Sequence, residues 1–315
     1  MPMITFDQAT VDGSGAFLVG ELERLDQGLN LPLVGYTWTR DIQLREDVSI
    51  ADDISSWTNT SFGAAGTGAN PNGKNWVGKD STAIAGVNVD IGKDGNPLNL
   101  WGMELGWTVI ELKAAEQVGR PIDTQKYEGM QLKWQMDNDE QVYVGDTSLN
   151  LKGLATLNGI PVNNAAKMWA LSTPDEIRAS INQVLSDAWA ASGYSMVPRD
   201  LLIPPEQFAL LSSIIVSSAG NQSLLTYLQT NTISYHQNGV PLNIRAVKWL
   251  KGRGVGGKDR MVAYTNDKKY VRYPLVPLQS VPVQYRGLYQ IVTYYGKLGA
   301  IEPVYKETLS YVDGI

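Results

Sequence analysis

Asp200-Leu201-Leu202-Ile203-Pro204-Pro205-Glu206-Gln207-Phe208 joins a short apolar run to a proline pair and then to a helix-compatible sequence. Residues 201–203 read as a buried strand and residues 206–211 as a short helix. Immediately upstream, Thr173-Pro174-Asp175-Glu176 has the spacing of a capping box with proline at the first helical position. Ile177, Ile181, Val184, Leu185, Ala188 and Trp189 then recur at helical spacing until Gly193. A helix, a buried strand and a second helix follow one another within forty residues, which is the rhythm of a mixed α and β domain.

Outward from this centre, the carboxyl-terminal third is extended. Strand readings fall at 242–249, 260–264, 269–273, 286–295 and 300–311, with a further helix around 223–235. Nine of the 15 tyrosines lie between Tyr264 and Tyr311. Pairs such as Tyr294-Tyr295 place one ring on each face of a strand, so both faces are expected to be covered. On the amino-terminal side, Thr108-Val109-Ile110-Glu111 is another capping box, and Gly119-Arg120-Pro121 stops its helix. A second helix is expected from Asp123 to about Gln141, with Tyr127, Met130 and Trp134 on a narrow stripe. So thin a stripe predicts a helix lying on a surface.

Residues 41–107 differ in composition. Glycines punctuate a run rich in Asn and Thr, and alternation at 42–45 and 83–91 suggests two strands. Residues 55–85 between them carry Trp57, Phe62 and Trp76 but no continuous apolar face, so the stretch reads as a loop ordered from outside its own domain. Residues 1–40 read as an arm whose partners lie elsewhere.

Composition narrows the chemistry. The 315 residues hold no cysteine and one histidine, His236. Disulfides, thiolate nucleophiles and the common zinc sites are thereby removed. The net charge of −6 argues against the chain as a whole being a nucleic-acid binder. No stretch approaches the ~20 apolar residues of a membrane span, and no signal peptide is visible at the amino end, which predicts a cytoplasmic product. Gly73-Lys74-Asn75-Trp76-Val77-Gly78-Lys79-Asp80 falls one residue short of a phosphate-binding loop, because Asp80 occupies the hydroxyl position and would repel phosphate. Gly252-Arg253-Gly254-Val255-Gly256-Gly257 lies between extended segments and opens no helix, so it reads as a connection between strands. Asp137, Asp139 and Glu140 read as solvated charges near a helix end. Residues 244–272 hold nine basic side chains against two acidic ones, +7 on a chain of −6 that leaves −13 elsewhere. Copies of one chain with that split attract each other through opposite patches. No catalytic constellation, cofactor site or metal site emerges.

The order of these pieces resembles the major capsid proteins of tailed bacteriophages, the Hong Kong 97-type fold. Asp123 to Gln141, followed by Gly145 and Gly153-Leu154, is similar to that family's spine helix. Residues 200–208 resemble the strand that runs through a proline into a helix in its axial domain. Tyr289-Gln290-Ile291-Val292-Thr293 through Leu298-Gly299-Ala300-Ile301-Glu302-Pro303 resembles the strand returning to its peripheral domain. The resemblance implies an α+β protein with an amino-terminal arm at 1–40 and an extended β-hairpin arm (the E-loop) at 41–107. A peripheral domain with the spine helix follows at 108–172, an axial domain at 173–285, and strands returning to the peripheral domain at 286–315.

It further implies a structural protein without catalytic turnover that forms hexamers and pentamers of an icosahedral shell around double-stranded DNA. The expected partners are itself, portal, scaffolding and decoration proteins, and packaged DNA through nonspecific contacts, with no membrane. The expected location is the virion, assembled in the host bacterial cytoplasm. Trp57, Phe62, Lys74, Trp76 and Lys79 in the arm, Tyr127 and Trp134 on the spine helix, and Lys251, Arg253 and Lys258 in the basic loop are the expected inter-subunit contacts. Lys74 and Lys79 match no cross-linking position of the family. The alternatives are an encapsulin-like cargo shell and, from another class, a carboxylate-using glycosidase-like enzyme, since Trp-rich loops also stack sugars.

Overall fold

A computed structural model describes residues 34–64, 79, 87–118, 122–216 and 220–315. Within these, the buried strand of the opening motif is β6 (Asp200–Ile203), every residue of which is buried. It lies inside a five-stranded sheet with β5 (Val162–Asn164), β9 (Asn243–Ala246), β10 (Arg260–Tyr264) and β15 (Ser310–Asp313), in the order β5-β15-β10-β6-β9. Strand alternation divides its side chains between two cores. Leu201, Ile203, Met261, Ala263 and Val312 face one apolar cluster, while Leu202, Val262, Tyr264 and Tyr311 face another. Both faces are covered, which is why 201–203 carries no polar residue.

The first cluster is closed by the helices α4 (Pro174–Ala191), α5 (Pro205–Ser213), α6 (Leu224–Thr230) and α7 (Ile233–Asn238). α4 buries Ile177, Ile181, Val184, Leu185 and Ala188. Its capping box forms as read: Thr173 N–H donates to Glu176 Oε2 at 2.6 Å and Glu176 N–H to Thr173 Oγ1 at 3.4 Å. That backbone N–H holds the Glu176 carboxyl below the usual carboxylate range. Thr173→Ala is expected to cost about 1 kcal/mol, read as a lower urea midpoint with an unchanged slope. The single helix read around 223–235 is two, α6 and α7. Asn231 and Thr232 break it, and Asn231 Nδ2 instead bonds back to Tyr227 O at 2.9 Å. The strand expected over 242–249 stops at Ala246 and passes into a 3₁₀ turn, Lys248–Leu250.

A second, six-stranded sheet is built around β13 (Tyr289–Leu298) and β11 (Val271–Ser280). β13 pairs antiparallel over its whole length with β4 (Asn99–Thr108), from Tyr289 opposite Thr108 to Leu298 opposite Asn99. β12 (Gln284–Arg286) also pairs with β13, while β1 (Gln43–Arg45) and β14 (Glu302–Pro303) pair with β11. Against this sheet lie α2 (Val109–Val118), capped by the Thr108–Glu111 box, and the long helix α3 (Ile122–Tyr143).

α3 departs from its expected surface position. Met130, Trp134, Asn138, Asp139, Gln141, Val142 and Tyr143 are buried. Its polar members are satisfied inside the protein. Asn138 Nδ2 donates to Trp134 O at 2.8 Å, and Gln141 Nε2 to Gly299 O at 2.9 Å. Asp139 is the clearest correction, since it was expected to be solvated and is 1 % exposed. It accepts from Thr37 N–H at 2.7 Å, Trp38 N–H at 3.1 Å and Trp249 Nε1–H at 2.7 Å, so it anchors α1 (Trp38–Asp41) against α3. Asp41, itself fully buried, is held by Arg40, by Arg245 at 3.0 Å and by the Tyr143 hydroxyl at 2.5 Å. Burial raises the Tyr143 phenol far above its ordinary value, so it remains a donor.

The end of α3 needs glycine at two positions. Gly145 has φ +78°, and a Cβ there would sit 2.3 Å from Leu151 O. A Cβ on Gly153 would lie 2.4 Å from the Tyr143 carbonyl carbon. The chain therefore folds back on the helix terminus at backbone-to-backbone distance. None of the helices among the described residues is long and apolar enough to cross a membrane.

Candidate assembly surfaces

The segment read as a loop over 55–85 begins and ends as strands. β2 (Ile54–Ala64) and β3 (Val87–Pro97) form a two-stranded antiparallel hairpin in register from Ile54 opposite Pro97 to Ala64 opposite Val87. The strand expected over 83–91 is shifted toward the carboxyl end and runs to Pro97. Alternation sorts the hairpin into two faces. One carries Ile54, Ser56, Thr58, Thr60, Phe62, Val89, Ile91 and Lys93, and the other Ser55, Trp57, Asn59, Asn88, Asp90, Asp94 and Asn96. Ile54, Val89 and Ile91 are 65 %, 50 % and 65 % exposed, so the apolar face has no cover within its own chain.

The root of the hairpin is fixed. Glu302 of β14, fully buried, accepts from Arg272 Nε at 2.7 Å, from Arg45 Nη1 at 3.2 Å and from the Ser55 hydroxyl. Arg45 also donates to Ser56 O at 2.9 Å and to Asp47 at 2.7 Å, and Asp47 is held below the usual carboxylate range by that guanidinium. Lys297 reaches Asp52 O at 2.7 Å and Asp53 at 3.1 Å, and Asn96 Nδ2 reaches Ile301 O at 3.2 Å. The blade projects from a rigid joint.

The residues expected to contact neighbours are placed as follows. Trp57 is 8 % exposed at the root and is covered by its own chain, so its ring offers a neighbour little. Phe62 pairs with Val89 in β2. Lys74 and Trp76 lie outside the described residues, and Lys79 is exposed in a turn. Tyr127 is half-buried against Tyr294, with ring centroids 5.5 Å apart. Trp134 stacks edge-on against Trp101 at 4.9 Å and belongs to the protomer's own core. Aromatic weight in a Gly-rich stretch drew attention to Trp57; only the register shows that Val89 and Ile91 form the open face.

The basic loop is less open than its charge suggests. Lys251 pairs with Glu206. Arg253 and Lys258 are exposed, and Arg253 lines a cleft with Asp137, Glu140 and Asp146. Beside them, Arg260 is locked to the buried Asp313 through two bonds of 2.7 and 2.8 Å, and Val255 N–H donates to the same carboxylate at 2.8 Å. Of the nine cations in 244–272, Arg245, Lys248, Lys251, Arg260 and Arg272 hold carboxylates of this chain. The charge surplus is thus largely spent on internal pairs. A second apolar surface was not anticipated: Ile110, Tyr285, Leu288 and Tyr289 are all more than half exposed where β12 and β13 meet the start of α2. They sit in separate elements, and only the Tyr289–Thr108 pairing brings them together.

The capsid of Myoviridae phage XM1 has the same fold, with a TM-score of 0.76 at 19 % identity over 94 % of this chain and 98 % of that one. The Gordonia phage Cozz structure is similar at TM-score 0.59 and 10 % identity, covering 99 % of this chain and 97 % of the other. A holo encapsulin complex from Synechococcus elongatus matches at TM-score 0.53 and 11 % identity, covering 99 % and 97 %. No curated protein sequence matches the chain. The architecture is the Hong Kong 97-type α+β capsid fold. The profile of the major capsid protein family matches residues 73–315, most of the chain, and the protein belongs to that family.

Proposed function

We propose that this major capsid protein assembles as hexamers and pentamers into the icosahedral head of a tailed phage around double-stranded DNA. The uncovered apolar face of the hairpin carries the reading. Ile54, Val89 and Ile91 stand in water on a blade whose root is held by a buried carboxylate and two arginines. An apolar patch on a rigid projection is built to be buried by another molecule. In this reading residues 41–107 are the arm, 108–172 and 286–315 the peripheral domain, and 173–285 the axial domain. Ile54, Phe62, Val89 and Ile91 supply the apolar contact, with Lys74, Trp76 and Lys79 toward its tip and Arg253 and Lys258 meeting acidic groups of a neighbour. The protein acts without catalytic turnover, is assembled in the host bacterial cytoplasm, and works with portal, scaffolding and decoration proteins.

Negative-stain microscopy of the purified protein tests this directly. Closed shells are expected, and a protein that stays monomeric at every concentration overturns the reading. The likeness to the Synechococcus encapsulin favours a second reading, a cargo shell; a co-purifying enzyme inside the particles, in place of DNA, would select it. Val89→Asp with Ile91→Asp is expected to leave the urea midpoint of the subunit within about 0.5 kcal/mol of wild type, because both side chains are exposed. The same pair should reduce shell yield at least tenfold on sucrose gradients, since two desolvated carboxylates oppose the contact.

A further inference from the structure

A cavity of about 310 Å³ lies between the edge strand β5 and the first turns of α4, away from the hairpin and the basic loop. Ala165, Ala166, Ala179 and Val312 give it apolar walls, and Trp169 closes one side. Its volume is at the lower end of the range for small-ligand sites. Two polar atoms in the lining are unsatisfied. Trp169 Nε1 belongs to a residue 2 % exposed, Ser180 Oγ is shielded from solvent, and neither has a hydrogen-bond partner. Buried donors without partners are rare and costly in folded proteins. The acidic member of the lining is already engaged: Glu176 accepts from Thr173 N–H and pairs with Lys167 at 3.6 Å. What stays unanswered in the cavity is hydrogen-bond donation next to apolar walls.

We propose that this cavity binds a carbonyl group carried on a short branched aliphatic body, with Trp169 Nε1–H and the Ser180 hydroxyl donating to the carbonyl oxygen and the alanines and Val312 enclosing the aliphatic part. The same chemistry is offered by a free small amide or by the backbone carbonyl beside a Leu or Val side chain of another copy of this chain. A body of about twelve heavy atoms gives a Kd in the millimolar range at ordinary ligand efficiency.

N-acetyl-L-leucine methylamide is the probe, and N-acetylglycine methylamide, which lacks the aliphatic body, is the control. On free subunits of the full chain, the leucine probe at ten times its Kd is expected to raise Tm by roughly 2–4 °C. It should also shift the indole ¹H–¹⁵N resonance that Trp169→Phe removes, with the glycine control doing neither. Ser180→Ala, on a partly exposed helix position, should weaken binding about five- to tenfold while leaving Tm without probe nearly unchanged. Equal response to both probes, no response to either, or full response in Ser180→Ala means that the cavity holds only water, and overturns the proposal. Assembled shells separate the two sources. A small molecule enters shells and subunits alike, whereas a carbonyl from a sister copy blocks the probe in shells alone. That last arm rests on the shell reading, while the free-subunit result does not, so the two fail independently.

Discussion

Replacing residues 60–91 by an Asn-Gly turn is expected to yield a folded subunit that no longer makes shells. Asn59 and Gly92 are cross-strand partners, so a two-residue turn closes the shortened hairpin without altering its root. None of the three apolar clusters includes a residue from 58–96, and the Glu302, Lys297 and Asn96 contacts all lie below the cut. Subunit stability should therefore stay within about 0.5 kcal/mol, with far-UV dichroism differing only by the lost strands. Gradient sedimentation should show the shell peak gone. A variant that unfolds would make the blade part of the protomer core, and one that still closes shells would remove the hairpin from the assembly argument.

The largest loss of stability is expected from Asp313→Ala. Asp313 is fully buried and receives both arms of Arg260, whose side chain is 10 % exposed. Removing the carboxylate leaves a guanidinium buried without its counter-charge, and Val255 N–H loses its acceptor as well. Breaking a buried pair from one side costs about 3–5 kcal/mol. A Tm lowered by roughly 10 °C is the corresponding thermal shift. Arg260→Met with Asp313→Leu should recover much of the loss, because the expense lies in the stranded charge and not in the missing bond. A single-variant loss below about 1 kcal/mol would show that water reaches Arg260. Amide exchange in residues 252–258 should accelerate in the alanine variant, since Asp313 ties that loop down.

Elements announced by capping and by fully apolar runs were legible in the sequence. Thr173–Glu176, Thr108–Glu111, residues 201–203 and residues 260–264 form the structures their residues suggest. The hairpin strands were not, because Ser, Asn, Thr and Gly alternate along β2 and β3 without an apolar rhythm, and their pairing spans residues up to forty positions apart. Helix α3 was placed correctly in sequence but at the wrong depth. Asn138, Asp139 and Gln141 read as solvent-facing by type, and their burial rests on Thr37, Trp38, Trp249 and Gly299, which no local pattern links to them. For the assembly surface, composition pointed to the right limb and to the wrong side of it. Trp57 and Trp134 are large enough to suggest contacts, and both are consumed inside the protomer.

The blade also has two unpaired edges, since β2 and β3 form a sheet of only two strands among the described residues. An open edge beside greasy side chains invites any passing extended chain to zip onto it. A newly made subunit is therefore in a race between its proper sisters and indiscriminate clumping. Its useful lifetime in solution falls as expression rises, and head yield should depend on the timing of synthesis as much as on its amount.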